Sequence, residues 1–249
     1  MKTVGVIGGL GPKTSAEFGL EIINLCVKKN KKQRPPILSW NIPLPLKIEE
    51  EVITKNKGEK KYLPFLVNAA KILEKAGPDF LVMPCNTMHI FIEEIRKSVS
   101  IPIVSIVDET ILEIKKRKIS KVGILATSTT ISKDLFQTKL QKKGIKVITP
   151  NSNQQKKIDR LIYNLVMDKQ TPKNQIVVDQ VLKDLEDKGV KNIILACTDL
   201  QLLIKEKPGM EILDTMHILA KATVREILKE EVNKNGNTKK SNITNPRQC

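Results

Sequence analysis

Two of the four cysteines in this 249-residue chain each follow a short apolar run. Cys85 comes after the Phe-Leu-Val-Met of residues 80–83, and Cys197 comes after the Ile-Ile-Leu of residues 193–195. If these runs are strands of parallel sheets, both thiols lie at the carboxyl ends of strands, where α/β proteins bind their ligands. Thiolates act as bases once loop amides or a helix N-terminus lower their pKa. Both cysteines precede a predicted helix start, which would supply such groups.

The other two cysteines are predicted to have no part in the chemistry. Cys26 lies inside a helical stretch in an apolar context, which is typical of a buried structural thiol. Cys249 is the last residue of a polar segment. No CxxC pair occurs, so free thiols are expected throughout.

Apolar runs alternate with stretches of helical periodicity, which predicts parallel sheets with helices on both faces. One series of strands is expected at residues 4–7, 37–40, 80–83 and 101–105, and a second at 122–125, 147–148, 193–195 and 211–213. The intervening helices are expected at residues 14–27, 62–73 and 90–99, and then at 131–142, 155–168 and 174–187.

The two series resemble each other, which indicates an internal duplication. The run Val-Gly-Val-Ile-Gly-Gly at residues 4–9 matches Val-Gly-Ile-Leu-Ala-Thr at 122–127, and the segments that contain Cys85 and Cys197 match in the same order. We therefore expect an α/β fold of two pseudosymmetric three-layer α/β/α domains, with the active site in the cleft between them. Two cysteines related by a pseudo-two-fold axis would suit removal of a proton from one face of a carbon acid and its return to the other.

The expected domains are residues 1–110 and 111–214, with a boundary near 105–121. A helix at 215–232 is expected to pack back on the first domain. Residues 233–249, which are polar and contain Gly and Pro, are expected to form a flexible tail.

The composition is that of a globular protein with a basic surface. The formal net charge is +16, but only six of the 43 basic residues are Arg, and aromatic residues make up 3% of the chain. Arg contacts to bases and phosphates and aromatic stacking are therefore scarce, so nucleic-acid binding is not expected. No apolar run is long enough to span a membrane, and the N-terminus lacks the layout of a signal peptide. We expect a cytoplasmic protein.

The paired motifs resemble the aspartate/glutamate racemase family. They are Met83-Pro84-Cys85-Asn86-Thr87-Met88-His89 and Ala196-Cys197-Thr198-Asp199-Leu200, preceded by Gly5-Val6-Ile7-Gly8-Gly9-Leu10-Gly11-Pro12 at the start of the chain. The resemblance covers roughly residues 1–230. It implies racemisation of an amino acid, aspartate or glutamate, with Cys85 and Cys197 as the two bases. It also implies a homodimer and no cofactor or metal.

The same resemblance implies which other residues contact the substrate. The family's substrate contacts correspond to four groups of positions in this chain. These are a loop after the first strand, the polar residues beside both cysteines, a Thr-rich loop of the second half and a basic residue for the side-chain carboxylate. They are Gly9, Leu10, Gly11, Lys47, Asn86, Thr87, Thr127, Thr130, Thr198 and Asp199.

Three positions depart from the family's pattern. Lys47 stands where aspartate racemases carry Arg, and Lys lacks the two-pronged guanidinium. Met167 stands near an expected Lys, with Lys169 two residues on, and Asp199 replaces Glu. A different or broader substrate range is therefore an alternative, which includes other amino acids, hydantoins and maleate-like acids. A non-catalytic binder of acidic amino acids is another, and it would show two inert thiols, whereas a catalytic pair would show one thiol with a strongly depressed pKa.

Other sites are weaker interpretations of the sequence. The Gly9-Leu10-Gly11 loop lacks the third glycine and the later acidic residue of a dinucleotide site, and Pro12 separates Gly11 from Lys13, which excludes a P-loop. His89 lies close to Cys85, but no ligand cluster surrounds it, so a core position is expected. His217 is assigned no role.

Overall fold

The computed structural model describes residues 1–229 and contains eight strands within that range. The strands are β1 (Val4–Gly8), β2 (Ile37–Asn41), β3 (Phe80–Val82), β4 (Ile103–Val104), β5 (Lys121–Leu125), β6 (Lys146–Ile148), β7 (Asn192–Leu195) and β8 (Glu211–Asp214). They form two four-stranded parallel sheets with the orders β2-β1-β3-β4 and β6-β5-β7-β8. The same strand order in both halves confirms the predicted pair of pseudosymmetric α/β units.

Ten α-helices connect and cover the strands in the described range. They are α1 (Pro12–Lys29), α2 (Leu46–Lys55), α3 (Leu63–Ala76), α4 (Ile92–Ser98), α5 (Ile106–Lys116), α6 (Ser128–Ser132), α7 (Gln137–Gln141), α8 (Ser152–Val166), α9 (Pro172–Asp187) and α10 (Thr215–Ile227). Short 3-10 turns cover Glu59–Tyr62, Thr87–Phe91 and Thr198–Leu202.

Equivalent glycines in β1 and β5 show how closely the two halves correspond. A Cβ atom on Gly5 would lie 2.5 Å from the Leu81 side chain on β3, and a Cβ atom on Gly123 would lie 2.8 Å from the Ile193 side chain on β7. Each glycine therefore makes room for a large apolar side chain of the neighbouring strand, because two carbon atoms cannot approach so closely. The same packing solution appears at the same place in both sheets.

Three helical features differ from the sequence-based expectation. The single helix predicted over residues 131–142 is wrong, because the chain turns at Asp134, which has a φ of 54° and accepts a hydrogen bond from the Thr138 N–H at 2.9 Å. Helix α2 was not predicted. Neither was α5, which occupies the expected linker and is capped by the Ser105 hydroxyl, which accepts from the Asp108 N–H. The expected boundary between residues 110 and 111 lies inside α5.

Helix α10 packs against α1 and α5 and so joins the end of the described chain to the first half. Its Ile227 carbonyl accepts a hydrogen bond from the Lys2 N–H at 2.9 Å, and Arg225 forms an ion pair with Glu109 of α5. One apolar cluster contains Phe18, Ile124 and Leu219 together, so the core is continuous between both sheets. This shared core fixes the two strand-end edges relative to each other.

Residues 230–249 lie outside the described residues. The predictions of a flexible tail at 233–249, of the end of the helix at 232 and of a remote Cys249 all fall there. Within residues 1–229, no helix is both long and apolar enough to cross a lipid bilayer.

Candidate active site

Cys85 and Cys197 line one and the same pocket, which has about 470 Å³ of empty space when the open solvent at its mouth is counted. Cys85 follows β3 and Cys197 follows β7, the central strands of the two sheets that pair with β1 and β5. Cys85 is partly buried and Cys197 is 7% exposed. The structure thus brings together the two thiols from equivalent strand ends of the two halves.

Asp199 connects the two halves on one side of the pocket. Its carboxylate accepts a hydrogen bond from the Thr14 hydroxyl at the start of α1, and it accepts a second from the Cys197 thiol at 3.8 Å. Gly11 makes this possible: its φ is +87°, and a Cβ atom there would lie 2.8 Å from Asp199 Oδ1. A residue with a side chain at position 11 would therefore push the carboxylate away from Thr14 and Cys197.

A triangle of threonine hydroxyls connects the halves on the other side. The Oγ1 atoms of Thr87, Thr127 and Thr130 lie 3.0 Å from one another, and all three residues are buried. Thr87 follows Cys85 by two residues, as Asp199 follows Cys197. Thr127 and Thr130 follow β5, as Thr14 follows β1. The polar contacts across the cleft therefore obey the pseudo-two-fold relation.

Asn86 and Thr198 occupy equivalent positions directly after the cysteines. Asn86 donates from Nδ2 to the Thr215 hydroxyl at 2.8 Å, and Thr198 donates to the Pro84 carbonyl at 3.2 Å. The Oδ1 atom of Asn86 is buried and has no partner among the described residues. Asn86 is also one of the residues that line the pocket.

His89 is a structural element of the Cys85 loop. It is 2% exposed; its Nδ1 lies 2.7 Å from the Cys85 carbonyl, and its Nε2 accepts a hydrogen bond from the Ile106 N–H at 3.2 Å. A carbonyl can only accept, so the neutral ring carries its proton on Nδ1. Burial lowers its pKa to about 4, which keeps the ring neutral. The predicted core position agrees with these contacts, and among residues 1–229 no cluster of potential metal ligands occurs.

Two helices from different halves form the wall of the pocket. Helix α2 contributes Glu49, Val52 and Ile53, and α8 contributes Ile162 and Val166. Tyr62 and Met88 complete the lining together with the strand-end residues. Sequence reasoning missed these wall residues, although the spacing of Glu49, Val52 and Ile53 places all three on one helical face. The wall is largely aliphatic, and its one charged member is Glu49.

The structure places most of the expected substrate residues at the pocket, with three exceptions. Leu10, Gly11, Asn86, Thr87, Thr127, Thr198 and Asp199 line it. Gly9 lies behind the lining, where its N–H donates to the Ser15 hydroxyl, and Thr130 supports the lining from the second layer. Lys47 is exposed on α2 and does not line the pocket. Glu49, two residues further along the helix, lines it instead.

Burial dominates the electrostatics of the pocket. It raises the pKa of Cys85 to about 12 and that of Cys197 well above its usual value, and the charge of Asp199 raises both further. Backbone N–H groups after each cysteine lower the pKa of the thiols, as the sequence suggested, but burial outweighs them in this structure. A depressed thiol pKa in a catalytic pair stays a prediction that titration of the thiols tests. Burial also raises the pKa of Asp199 to about 6 and that of Glu49 to about 7.

Comparison with known proteins places this geometry in a family. The sequence profile described as Asp/Glu/Hydantoin racemase matches residues 7–223, which is most of the chain. The chain belongs to this racemase family. The family assignment and the fold inferred from the paired cysteine motifs are thus confirmed, and the chain's class is that of the amino-acid racemases.

Individual members of the racemase family resemble the chain over most of its length. The broad specificity amino-acid racemase RacX of Bacillus subtilis is 30% identical over 89% of this chain and 96% of its own length. A glutamate racemase of Persephonella marina is 28% identical over 73% of this chain and 69% of its own length. The solved structure of an aspartate racemase homologue from Pyrococcus horikoshii superposes with a TM-score of 0.73 at 28% identity, covering 92% of this chain and all of that one.

Proposed function

We propose that the chain racemises a free amino acid by a two-base reaction of Cys85 and Cys197. The observation that carries this proposal is the position of the two thiols at equivalent strand ends of the two halves, on one pocket. A pseudo-two-fold arrangement offers one acid–base group to each face of a carbon atom held between them. Racemisation needs those two groups, because the α-proton leaves one face and a proton arrives at the other.

The polar residues beside the cysteines hold the substrate's α-carbon between the thiols. The Thr87 and Thr127 hydroxyls bind the α-carboxylate, and the unpaired Asn86 Oδ1 accepts from the α-ammonium. One cysteine, as thiolate, takes the α-proton and becomes a thiol. The other thiol gives its proton to the opposite face and becomes the thiolate, so each turnover exchanges the roles of the two cysteines. Hydrogen bonds to the carboxylate stabilise the charge that develops on it.

Because the pKa of both thiols is raised, the bound substrate itself helps to form the thiolate. Asp199 and Glu49 oppose thiolate formation through their negative charge. The ammonium group of a bound amino acid brings a positive charge into the same poorly solvated pocket, where it offsets these carboxylates and favours the thiolate. Asp199, which accepts a hydrogen bond from Cys197, positions that thiol and stabilises its protonated form.

The substrate expected from the sequence was aspartate or glutamate, and the pocket lining supports a different amino acid. Among residues 1–229, no Lys or Arg side chain lines the pocket, so a second substrate carboxylate would meet Glu49 and Asp199 without a cationic partner. Of the alternatives considered from the sequence, racemisation of a different or broader set of amino acids therefore fits best. Assembly as a cytoplasmic homodimer remains part of the proposal.

Exchange of the α-proton in deuterated water tests the two-base reaction. The enzyme without added cofactor is expected to introduce deuterium at Cα and to lose optical rotation with at least one member of a panel of neutral, acidic and basic L-amino acids. Cys85→Ala and Cys197→Ala should each abolish racemisation, and either variant can retain exchange of a single enantiomer. Cys26→Ala, which removes a buried thiol outside the pocket, is the matched control and should retain activity. If no amino acid of the panel shows deuterium exchange at Cα or loss of optical rotation, the proposal is contradicted.

A further inference from the structure

Glu49 is a buried carboxylate that the two-base reaction does not use. It is 7% exposed and lines the pocket. Within the described part of the chain its carboxylate has neither a hydrogen-bond nor an ion-pair partner, whereas Asp199 has both Thr14 and Cys197 as donors. Its neighbours Glu50 and Glu51 on α2 are more exposed, and Glu51 forms an ion pair with Lys61. Glu49 is therefore the acidic group of α2 that faces the site.

An unpaired buried carboxylate is costly, so its position at a ligand pocket needs an explanation. Ionised groups in poorly solvated sites normally have a charged or hydrogen-bonding partner. Burial, followed by the charge of Asp199, raises the pKa of Glu49 to about 7, so the protein itself does little to stabilise the ionised form. The other titratable groups that line the pocket are Asp199, Tyr62, Cys85 and Cys197, and none of them is a cation at neutral pH. Within residues 1–229, no group that lines the pocket can therefore supply a positive charge to pair with Glu49.

We propose that Glu49 is a specificity-determining residue that selects amino acids with a cationic side chain, an ammonium or a guanidinium. This inference rests on the proposed racemisation and names the substrate class of the same pocket. The distal cation pairs with the Glu49 carboxylate, while the α-carboxylate and α-ammonium are held beside the cysteines. Such a charge-assisted hydrogen bond is among the strongest that a poorly solvated pocket can offer.

The wall around Glu49 fits the rest of such a side chain. Val52 and Ile53 of α2 and Ile162 and Val166 of α8 present aliphatic surface to the pocket. The methylene stem of a long basic side chain packs favourably on such a surface while its charged end reaches a carboxylate. An acidic side chain would bring a third carboxylate next to Glu49 and Asp199, which is unfavourable.

The test compares substrates that differ in the distal charge. The wild-type chain is expected to racemise L-lysine or L-ornithine with a kcat/KM at least about tenfold above that for L-norleucine, and above that for L-glutamate. Glu49→Gln keeps the size of the side chain and removes the charge. It should lower the ratio of kcat/KM for lysine to kcat/KM for norleucine at least about tenfold, mainly through the KM for lysine. An effect of the Glu49 charge on Cys85 would act on both substrates alike and leave this ratio unchanged.

Glu50→Gln is the matched control, because Glu50 is exposed on the same helix. This variant should leave kcat/KM unchanged for all substrates. Equal losses for lysine and norleucine in Glu49→Gln would assign Glu49 to the α-ammonium and overturn side-chain recognition. A wild-type preference for norleucine or glutamate over lysine would overturn it without any variant. Both results leave the two-cysteine racemase standing, whereas absence of turnover with every amino acid would refute the proposed function itself.

Discussion

Asp199 accepts a hydrogen bond from Thr14 across the cleft, and Thr87 makes the equivalent contact with Thr127 on the opposite side. In each case the residue two positions after a cysteine contacts a residue that follows the first strand of the other half. These contacts fix the distance between the two cysteine loops, since each loop is tied to the opposite sheet. The pair is not symmetric in charge: one side is a carboxylate and the other a set of neutral hydroxyls.

The charge of Asp199 should be visible in the reactivity of the thiols. Because Asp199 raises the pKa of both Cys85 and Cys197, Asp199→Asn should lower the pKa of the pocket thiols. The rate of alkylation by iodoacetamide against pH, followed by peptide mapping, measures this shift. Asp187→Asn, which makes the same change of charge at an exposed position, is the control and should leave the profile in place. An unchanged or higher thiol pKa in Asp199→Asn would contradict this account of the pocket.

The cysteines could be located from the sequence because the strands before them are short, apolar and buried on both faces. The same reasoning missed Glu49. The family resemblance predicts that Lys47 contacts the substrate, but the helical turn of α2 points that side chain to solvent, where its charge acts on Glu51 rather than in the pocket. The spacing of Glu49, Val52 and Ile53 places Glu49 on the apolar face of α2, but the sequence does not show whether that face lines a pocket. That depends on how α2 packs against α8, and only the three-dimensional arrangement of the two halves determines this contact.

Gly11 is expected to tolerate no side chain. Gly11→Ala would require φ near +87° in a residue with a Cβ atom, and that atom would lie 2.8 Å from Asp199 Oδ1 and 3.1 Å from Thr14 Oγ1. We expect a loss of about 1–3 kcal/mol in the free energy of unfolding, together with a drop of at least about tenfold in kcat, since Asp199 and Cys197 move together. Urea denaturation and racemisation rates measure the two effects.

Gly19→Ala provides the opposite expectation inside α1, the helix that follows Gly11. A Cβ atom at position 19 meets nothing within 4 Å, and the residue lies in the interior of α1. This variant should gain about 0.5–1 kcal/mol in the free energy of unfolding with unchanged activity. Similar losses in both glycine variants would show that the close approach to Asp199 is not what constrains position 11.

Variants of Thr87, Thr127 and Thr130 should distinguish the hydroxyls that bind the substrate from the hydroxyl that supports the pocket lining. Thr87→Val and Thr127→Val remove hydroxyls that line the pocket, so KM should rise about tenfold or more if these hydroxyls bind the α-carboxylate. Thr130→Val removes the hydroxyl behind them and should change KM less, while costing about 1 kcal/mol of stability. Thr110→Val is the control for loss of a buried hydroxyl away from the pocket, because the Thr110 hydroxyl donates to the Ile106 carbonyl inside α5. A larger KM effect for Thr130→Val than for Thr127→Val would reverse the assignment.

Glu49 should cost the protein stability at neutral pH. Its pKa is raised from 4.5 to about 7. Between these pH values the folded chain therefore binds more protons than the unfolded chain. The free energy of unfolding falls as the pH rises through this range. Below pH 4.5 both states are protonated and the penalty disappears; above pH 7 it is complete. Glu49→Gln should therefore raise the free energy of unfolding at pH 8 by as much as about 3 kcal/mol, and much less at pH 4.

Urea denaturation of wild type and Glu49→Gln at pH 4, 6 and 8 measures the trend, and Glu50→Gln on the same helix supplies the baseline. A ligand that pairs with Glu49 should narrow this difference. In excess lysine at pH 8 the wild type is expected to gain more free energy of unfolding than the variant, because binding to the folded state alone adds to that free energy. A variant that is stabilised equally at all three pH values would mean that burial of the charge is not the cause. Such a stability cost at a binding residue is the pattern expected where a site is kept ready for a charged substrate.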